Sequence, residues 1–461
     1  MNADGLPAWD RVAIAVVWRA LAVLAIGCCG AAPVGAEDLL GAYERARRHD
    51  PVLQAALHAH DAARERVPQA RAGLLPTVGL VGNAGGQSGA SSFDRSAPVD
   101  RTVRSRSWSL QLSQPLWRPA NRLAYAQAQA QEVVADEQWR QAQQDSMLRL
   151  TQAYFDALVA EESLRVARGQ EAAVQRQLDL ASGGHAAGTA TVTDVHEALA
   201  RRDLAQSQAL AAQAEVELRF GELERQLGAS TASLATLPDP ASEGDLPPPA
   251  EDAETWMERA RAQHPAVRLQ EATLAAAEAE IARSQAAHGP TLDLVANYGR
   301  HAASGSMASP ADVSSRVNAT QVGLNLQMPL FAGGSVAARV RESLALRDRA
   351  QDELETARRQ VAAQARQAWN GVHYGRLQLR ALASAVASSR SAVEDNRIGY
   401  RIGTRINIDV LNAEQQLYAA RRDWFKARVE VLMHALRLKA SAGLLEESDL
   451  ATVNRLLVAP I

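Results

Sequence analysis

The chain has 461 residues, is 47% hydrophobic and only 4% aromatic, and carries 49 basic against 52 acidic residues for a net charge of −3. The balanced charge argues against a general nucleic-acid binder, which carries a basic surplus. Few aromatics and much alanine disfavour an ordinary large core and suit long helices packed closely through small residues.

The N-terminus is read first. Arg11 and Arg19 precede the apolar run 20–30, and Val34-Gly35-Ala36 supplies a small-residue cleavage site. This is the layout of a secretory signal peptide, residues 1–36, with the mature chain expected to start at Glu37. A single membrane anchor and a lipoprotein signal ending at Cys28 are the alternatives. Cys28 and Cys29 are the chain's two cysteines. Cleavage after Ala36 would leave no disulfide and no thiolate metal site. Beyond the N-terminus no run of about 18 apolar residues occurs, so no helical membrane span is expected in the mature chain.

A helix of about 35 residues is expected near 39–75 and another near 252–288. His58 and His60 lie two apart and are read as surface histidines. Each helix is followed by segments in which polar and apolar residues alternate. Trp108, Leu110 and Leu112 share one face, with serines and Gln111 on the other. Leu292, Leu294, Ala296 and Tyr298 share a face, as do Val322, Leu324, Leu326 and Met328. Such dyads fit strands with one apolar and one wet face. At about ten residues or more, these strands are long enough to cross a bilayer in a tilted barrel. The segments 82–101 and 301–316 are read as exposed polar loops, the glycines at 82, 85, 86 and 89 included.

Residues 120–186 contain no proline, and 335–401 is similar. As an unbroken helix either would be roughly 100 Å long, which requires packing as a coiled coil. Each is expected to end near a glycine, at Gly183, Gly184 and Gly188 or at Gly399 and Gly403, and to turn at once into another helix.

The chain repeats itself. Tyr43-Glu-Arg-Ala-Arg47 recurs as Met257-Glu-Arg-Ala-Arg261, and Pro51 as Pro265. Pro76 to Leu80 matches Pro290 to Leu294, and Leu110 to Trp117 matches Leu324 to Phe331. Gly188 to Val195 matches Gly403 to Val410. Five matches in the same order at a nearly constant offset indicate an internal duplication. The expected organisation is a first repeat over 37–231, a linker over 232–250, a second repeat over 251–443 and a C-terminal tail over 444–461.

Four strands are too few to close a barrel, and open edges cannot exist in lipid, so membrane strands would require the chain to oligomerise. Sequence motifs for catalysis are missing: no His-Glu-x-x-His occurs, and no phosphate-binding Gly-Lys-Thr or Gly-Lys-Ser loop. No enzyme activity, cofactor or metal is expected. An outer-membrane conduit fits best, and a coiled-coil surface or adhesive protein is the alternative.

On these residues the chain resembles the TolC family of outer-membrane efflux and secretion proteins. The duplicated halves, the Leu-Leu-Pro-Thr and Pro-Leu-Trp or Pro-Leu-Phe boundaries and both helical turns carry the resemblance, most specifically Tyr400 to Asn412. The ending Leu436 to Leu450 looks like the type I protein-secretion branch. The resemblance implies an α+β membrane protein: a homotrimer whose four strands per chain share one twelve-stranded β-barrel, continued by a long α-helical coiled-coil tunnel in the periplasm. It also implies an inner-membrane ABC-type transporter and a periplasmic adaptor (a membrane fusion protein) as partners, an exported protein or small molecules as cargo, and no nucleic acid. By the same resemblance Tyr400 and Arg405 would bond to Thr193 and Asp194 to hold the periplasmic entrance shut. Asp409 would form an acidic ring there, with Asn412 where the family has a second. Ordinary turn chemistry is the alternative: Thr193 and Asp194 capping a helix, Arg405 pairing with any surface carboxylate. Trp117 and Phe331 follow Pro-Leu at strand-to-helix junctions. They are expected at the membrane interface or, alternatively, packed at the junction.

Overall fold

A computed structural model describes residues 36–94, 97–231, 233–238, 251–309, 311 and 313–458, with the side chain of residue 407 also left aside. The expected signal peptide and Cys28 lie outside these residues. In chain order the elements are α1 (Leu39–His49), α2 (Pro51–Arg64), α3 (Arg66–Ala72), β1 (Thr77–Ser91), β2 (Val99–Trp117), α4 (Pro119–Ala186) and α5 (Val192–Leu227). The second half repeats them as α6 (Ala253–Gln263), α7 (Pro265–Ala286), β3 (Thr291–Ser304), β4 (Ser315–Gln327), α8 (Ser335–Arg401) and α9 (Asn407–Ser441), and α10 (Glu447–Asn454) follows. No helix among the described residues is long and apolar enough to cross a membrane. The described residues form two compact units: one from those within 36–49, 153–238 and 447–458, the other from those within 50–152 and 251–446.

In the first unit Leu39, Tyr154, Phe155, Leu158, Leu223, Leu227, Leu234 and Leu450 are almost wholly buried. The Tyr154 hydroxyl lies 2.9 Å from the Glu37 carbonyl and 2.8 Å from that of Ala235. Burial, reinforced by the Asp38 carboxylate, pushes its pKa up. Isolated bridges pair Glu37 with Leu234 and Thr236 with Val458. Residues 233–238, expected as linker, are therefore stitched to both the start and the end of the described chain.

In the second unit the sheet is antiparallel, in the order β1-β2-β3-β4. The two halves meet at β2 and β3, where Leu110 pairs with Tyr298 and Leu112 with Ala296. The segment 82–101, read as a loop, is largely strand, whereas 301–316 is strand only at its two ends. Gly82 to Ser91 pairs with Val99 to Trp108. Glycine is a poor strand residue alone, but here every residue has a ladder partner across the strand pair, and Val99, Thr102 and Val103 on that partner favour the extended state. His301 to Ser304 likewise continues β3.

The single helix expected at 39–75 is broken, as is its repeat at 252–288. Proline has no N–H to donate and disfavours helical backbone in the residue before it. Asp50 (ψ 110) and His264 (ψ 133) are accordingly extended, and each caps the helix that follows. Asp50 accepts from Val52 N at 3.0 Å and from Arg149 Nη2 at 2.6 Å. His264 Nδ1 accepts from Ala266 N at 3.0 Å, and burial lowers its pKa. His60 is not a surface histidine. Its side chain is 12% exposed, its Nε2 lies 2.7 Å from Asp136 Oδ1, and its ring stacks on Trp139. A neighbouring helix covers it, which its position on α2 alone does not reveal.

Helices α4 and α8 run unbroken for 68 and 67 residues. At 1.5 Å per residue each is about 100 Å long. In the second unit α8 folds back along α9 and also packs on α6 and α7, burying Met257, Val267, Leu354, Val361 and Ala365.

Candidate functional site

The first unit contains the turn between α4 and α5. Gly188 adopts φ +75, a conformation only glycine enters at little cost. Thr189 N donates to Gly184 O at 2.8 Å, and its hydroxyl donates to the same carbonyl at 3.1 Å. Thr191 then opens α5 with a capping box. Asp194 N donates to Thr191 Oγ1 at 3.2 Å, while the Asp194 carboxylate accepts from the Thr191 hydroxyl at 2.7 Å and its amide at 2.9 Å. These two bonds, the hydroxyl first, hold the Asp194 pKa below the ordinary carboxylate value. Thr193 stands exposed on the first turn of α5.

The second unit builds its α8–α9 turn by the same pattern 215 residues later. Gly403 has φ +78, Thr404 N donates to Gly399 O at 2.9 Å, and the Thr404 hydroxyl donates there at 3.2 Å. Ile406 stands where the first turn has Thr191, so only half of the box remains: Ile406 N donates to Asp409 Oδ2 at 3.4 Å. Arg405 Nη1 sits 3.9 Å from the same oxygen, and both side chains are accessible. Tyr400 is half-buried, while Arg405 and Asn412 are exposed. Gly399 is held close: a Cβ there would come within 2.6 Å of Arg405 Cγ. Arg405 and Asp409 are thus brought together within one turn.

Two ion pairs that sequence reasoning missed brace this unit. Below the turn, Arg397 Nε donates to Glu414 Oε1 at 3.1 Å, and the Glu414 side chain is 6% exposed. At the sheet-to-helix junction Arg118 grips Asp293 with two parallel bonds of 2.7 and 2.6 Å, and Asp293 is 4% exposed. In the sequence Asp293 falls on the wet face of an alternating strand, so nothing there marks it as a buried carboxylate. Its partner lies 175 residues away. Trp117, half-exposed, ends β2 with the Arg122 guanidinium 5.4 Å from its ring centroid. Phe331 is 88% exposed between β4 and α8.

The chain matches the family described as "Outer membrane efflux protein" over residues 42–229 and 256–444. The "Proteases secretion protein PrtF" of Dickeya chrysanthemi is 33% identical over 430 residues, covering 90% of this chain and 90% of the relative. The "Outer membrane protein TolC" of Vibrio cholerae is 29% identical over 423 residues, 91% of this chain and 94% of the relative. Among solved structures, the Campylobacter jejuni CmeC outer membrane channel superposes with a TM-score of 0.75 at 17% identity, over 91% of this chain and 89% of that one. These findings bear out the resemblance to the TolC family and lend no support to the adhesive alternative.

Proposed function

Since the chain belongs to the outer membrane efflux protein family, we propose that three copies close one twelve-stranded barrel continued by a periplasmic helical tunnel. The assembly is the passive outer-membrane duct of a tripartite export system. It carries a secreted protein in the type I manner or effluxes small molecules, working with an inner-membrane ABC-type transporter and a periplasmic adaptor. The name of the Dickeya chrysanthemi relative favours a protein cargo, proteases among the candidates.

The observation that carries this reading is the sheet. Its four strands are 15, 19, 14 and 13 residues long and leave β1 and β4 with unpaired edges. Toward the helix junctions Val78, Leu80, Leu110, Val322, Leu324 and Leu326, all of even parity, are apolar and exposed, as a lipid-facing surface must be. Open edges in hydrocarbon leave backbone groups unpaired, so the β1 edge of one copy must meet the β4 edge of the next. Each chain is organised as a first repeat over 37–231 and a second over 251–443. Trp117 and Phe331 sit at the periplasmic rim. Thr193, Asp194, Tyr400 and Arg405 form the gate, and Asp409, with Asn412 one helical turn further on, forms the constriction. Asp194 and Asp409 each retain lone pairs beyond their own helix caps to serve those roles.

Detergent-purified protein should give a trimer by native mass measurement and discrete conductance steps in planar bilayers. A stable monomer without conductance would refute the barrel.

A further inference from the structure

The face of the sheet that carries the apolar band does not stay apolar to its end. On β2 the even positions, exposed or half-exposed, run Leu112, Leu110 and Trp108, then Arg106 and Arg104. On β3 they run Leu292, Leu294, Ala296 and Tyr298, then Arg300. On β4 they run Leu326, Leu324 and Val322, then Thr320, Asn318 and Arg316. Register brings the changes level. Trp108 touches Tyr298 edge-on at 5.7 Å between centroids, Trp108 pairs with Arg300, and Ala302 pairs with Arg106 on one side and Arg316 on the other.

We propose that Arg104, Arg106, Arg300 and Arg316 form a belt that binds the phosphate groups of a phosphorylated glycolipid in the outer leaflet of the outer membrane. This rests on the barrel reading given above. The strand-to-helix junctions lie at one end of the sheet and the hairpin turns at the other, so with the helices in the periplasm the arginines face the cell exterior.

Heights agree. Trp117 and Trp108 are nine residues apart on β2, about 30 Å along the strand. At a tilt of about 40° that is about 23 Å along the membrane normal, close to the usual apolar band of about 25 Å. Trp108 and Tyr298 then mark the outer interface; Arg300 is level with Trp108, and Arg106, Arg316 and Arg104 lie further out along the strands, where headgroups begin.

The belt has open acceptor space and unclaimed charge. Arg106 faces Ala84 and Ala302 across the sheet, and Arg104 faces Gly86 and Ser304, so the long side chains rise from a floor of small ones. None of the four guanidiniums has an ion-pair partner among the described residues. The one carboxylate on this face of the strands is Asp100, near the outer end of β2. Four arginines per chain become twelve around a trimer. Guanidinium forks match phosphate oxygens bidentately; on the opposite parity of β2, Arg101 is already engaged by the carbonyls of Ser306 and Ser309.

The test uses full-length protein in detergent, incubated with diphosphorylated lipid A or with the same lipid dephosphorylated and read by native mass spectrometry. Wild type should retain the phosphorylated form at concentrations at least 10-fold lower. The variant Arg104→Gln/Arg106→Gln/Arg300→Gln/Arg316→Gln should retain the two forms alike. Should it fail to assemble, Arg104→Gln/Arg106→Gln and Arg300→Gln/Arg316→Gln divide the belt, and each should lose at least 3-fold of the preference. A wild type indifferent to phosphate, or a folded variant that keeps the full preference, overturns the belt. Flotation with phosphatidylcholine vesicles separates the two readings: wild type that floats but shows no phosphate preference refutes the belt alone. Wild type that does not float refutes the barrel and the belt together.

Discussion

Replacing Gly371 by alanine tests how closely α8 and α9 approach. A Cβ at 371 would stand 2.5 Å from His434 Cγ, 2.5 Å from Nδ1 and 2.7 Å from Cδ2. Four residues on, a Cβ at Gly375 would meet Val431 Cγ2 at 2.8 Å. The imidazole is therefore set against bare backbone, with Nδ1 buried and unpartnered among the described residues. Two effects oppose each other. Alanine gains about 1 kcal/mol over glycine inside a helix. Forcing a methyl into a packed contact costs about 1–3 kcal/mol. A cavity of 190 Å³ bordered by both residues lets the ring shift, which favours the lower end of that cost. Gly221 in α5, where a Cβ would meet nothing within 4 Å, isolates the first effect. Gly221→Ala should raise the denaturant midpoint of purified protein, whereas Gly371→Ala should leave it unchanged or lower it. In a His434→Ala background, Gly371→Ala should become stabilising by about 1 kcal/mol, so the double-mutant cycle reads a coupling of about 1–3 kcal/mol. The reasoning fails if Gly371→Ala stabilises wild type as much as Gly221→Ala does.

Arg118→Met strands the Asp293 carboxylate at the junction and should destabilise by about 3 kcal/mol; adding Asp293→Asn should recover part of this, read as denaturant midpoints. Asp194→Ala removes half of a capping box and should cost about 1 kcal/mol. Because the folded pKa of Asp194 lies below its unfolded value, its contribution is fully present above the ordinary carboxylate pKa. It fades as pH falls through the lowered value, which acid titration of hydrogen exchange in the first turns of α5 would follow. If Asp409 rings the entrance, Asp409→Asn should weaken cation selectivity and block by multivalent cations with the trimer intact; Tyr400→Phe with Arg405→Ser should instead raise conductance. An Asp409→Asn channel of unchanged selectivity places the constriction elsewhere.

The long helices were legible because nothing in 120–186 or 335–401 opposes a helix and their length follows from counting. The turns were legible because Gly188 and Gly403 recur in matching surroundings, and the same bonds to Gly184 and Gly399 form in both units. What stayed hidden depends on partners. Pro51 and Pro265 were visible as repeat markers, yet the helix breaks they impose were overlooked. Asp293 reads as a wet-face carboxylate, and Arg118 cannot be found without the fold that joins them. His60 reads as solvent-facing until Asp136 and Trp139 are set against it.

The largest misreading was local. Glycines at 82, 85, 86 and 89 suggest a loop to any rule that scores residues one by one, because glycine alone has little to hold it extended. A ladder is scored in pairs, and opposite those glycines stand Trp108, Ser105, Arg104 and Arg101. Once β1 reaches Ser91, the alternation on β2 must be followed past Ser107, where the apolar dyads stop but the parity does not. Arg106 and Arg104 then fall on the same face as Trp108, as Arg300 and Arg316 fall with Tyr298 and Leu324. An arginine on a lipid-facing parity is costly at the centre of a bilayer and cheap at its surface. The step from leucine to arginine along one face therefore locates the membrane boundary, and the same charges that tolerate it are the ones placed to bind anionic headgroups.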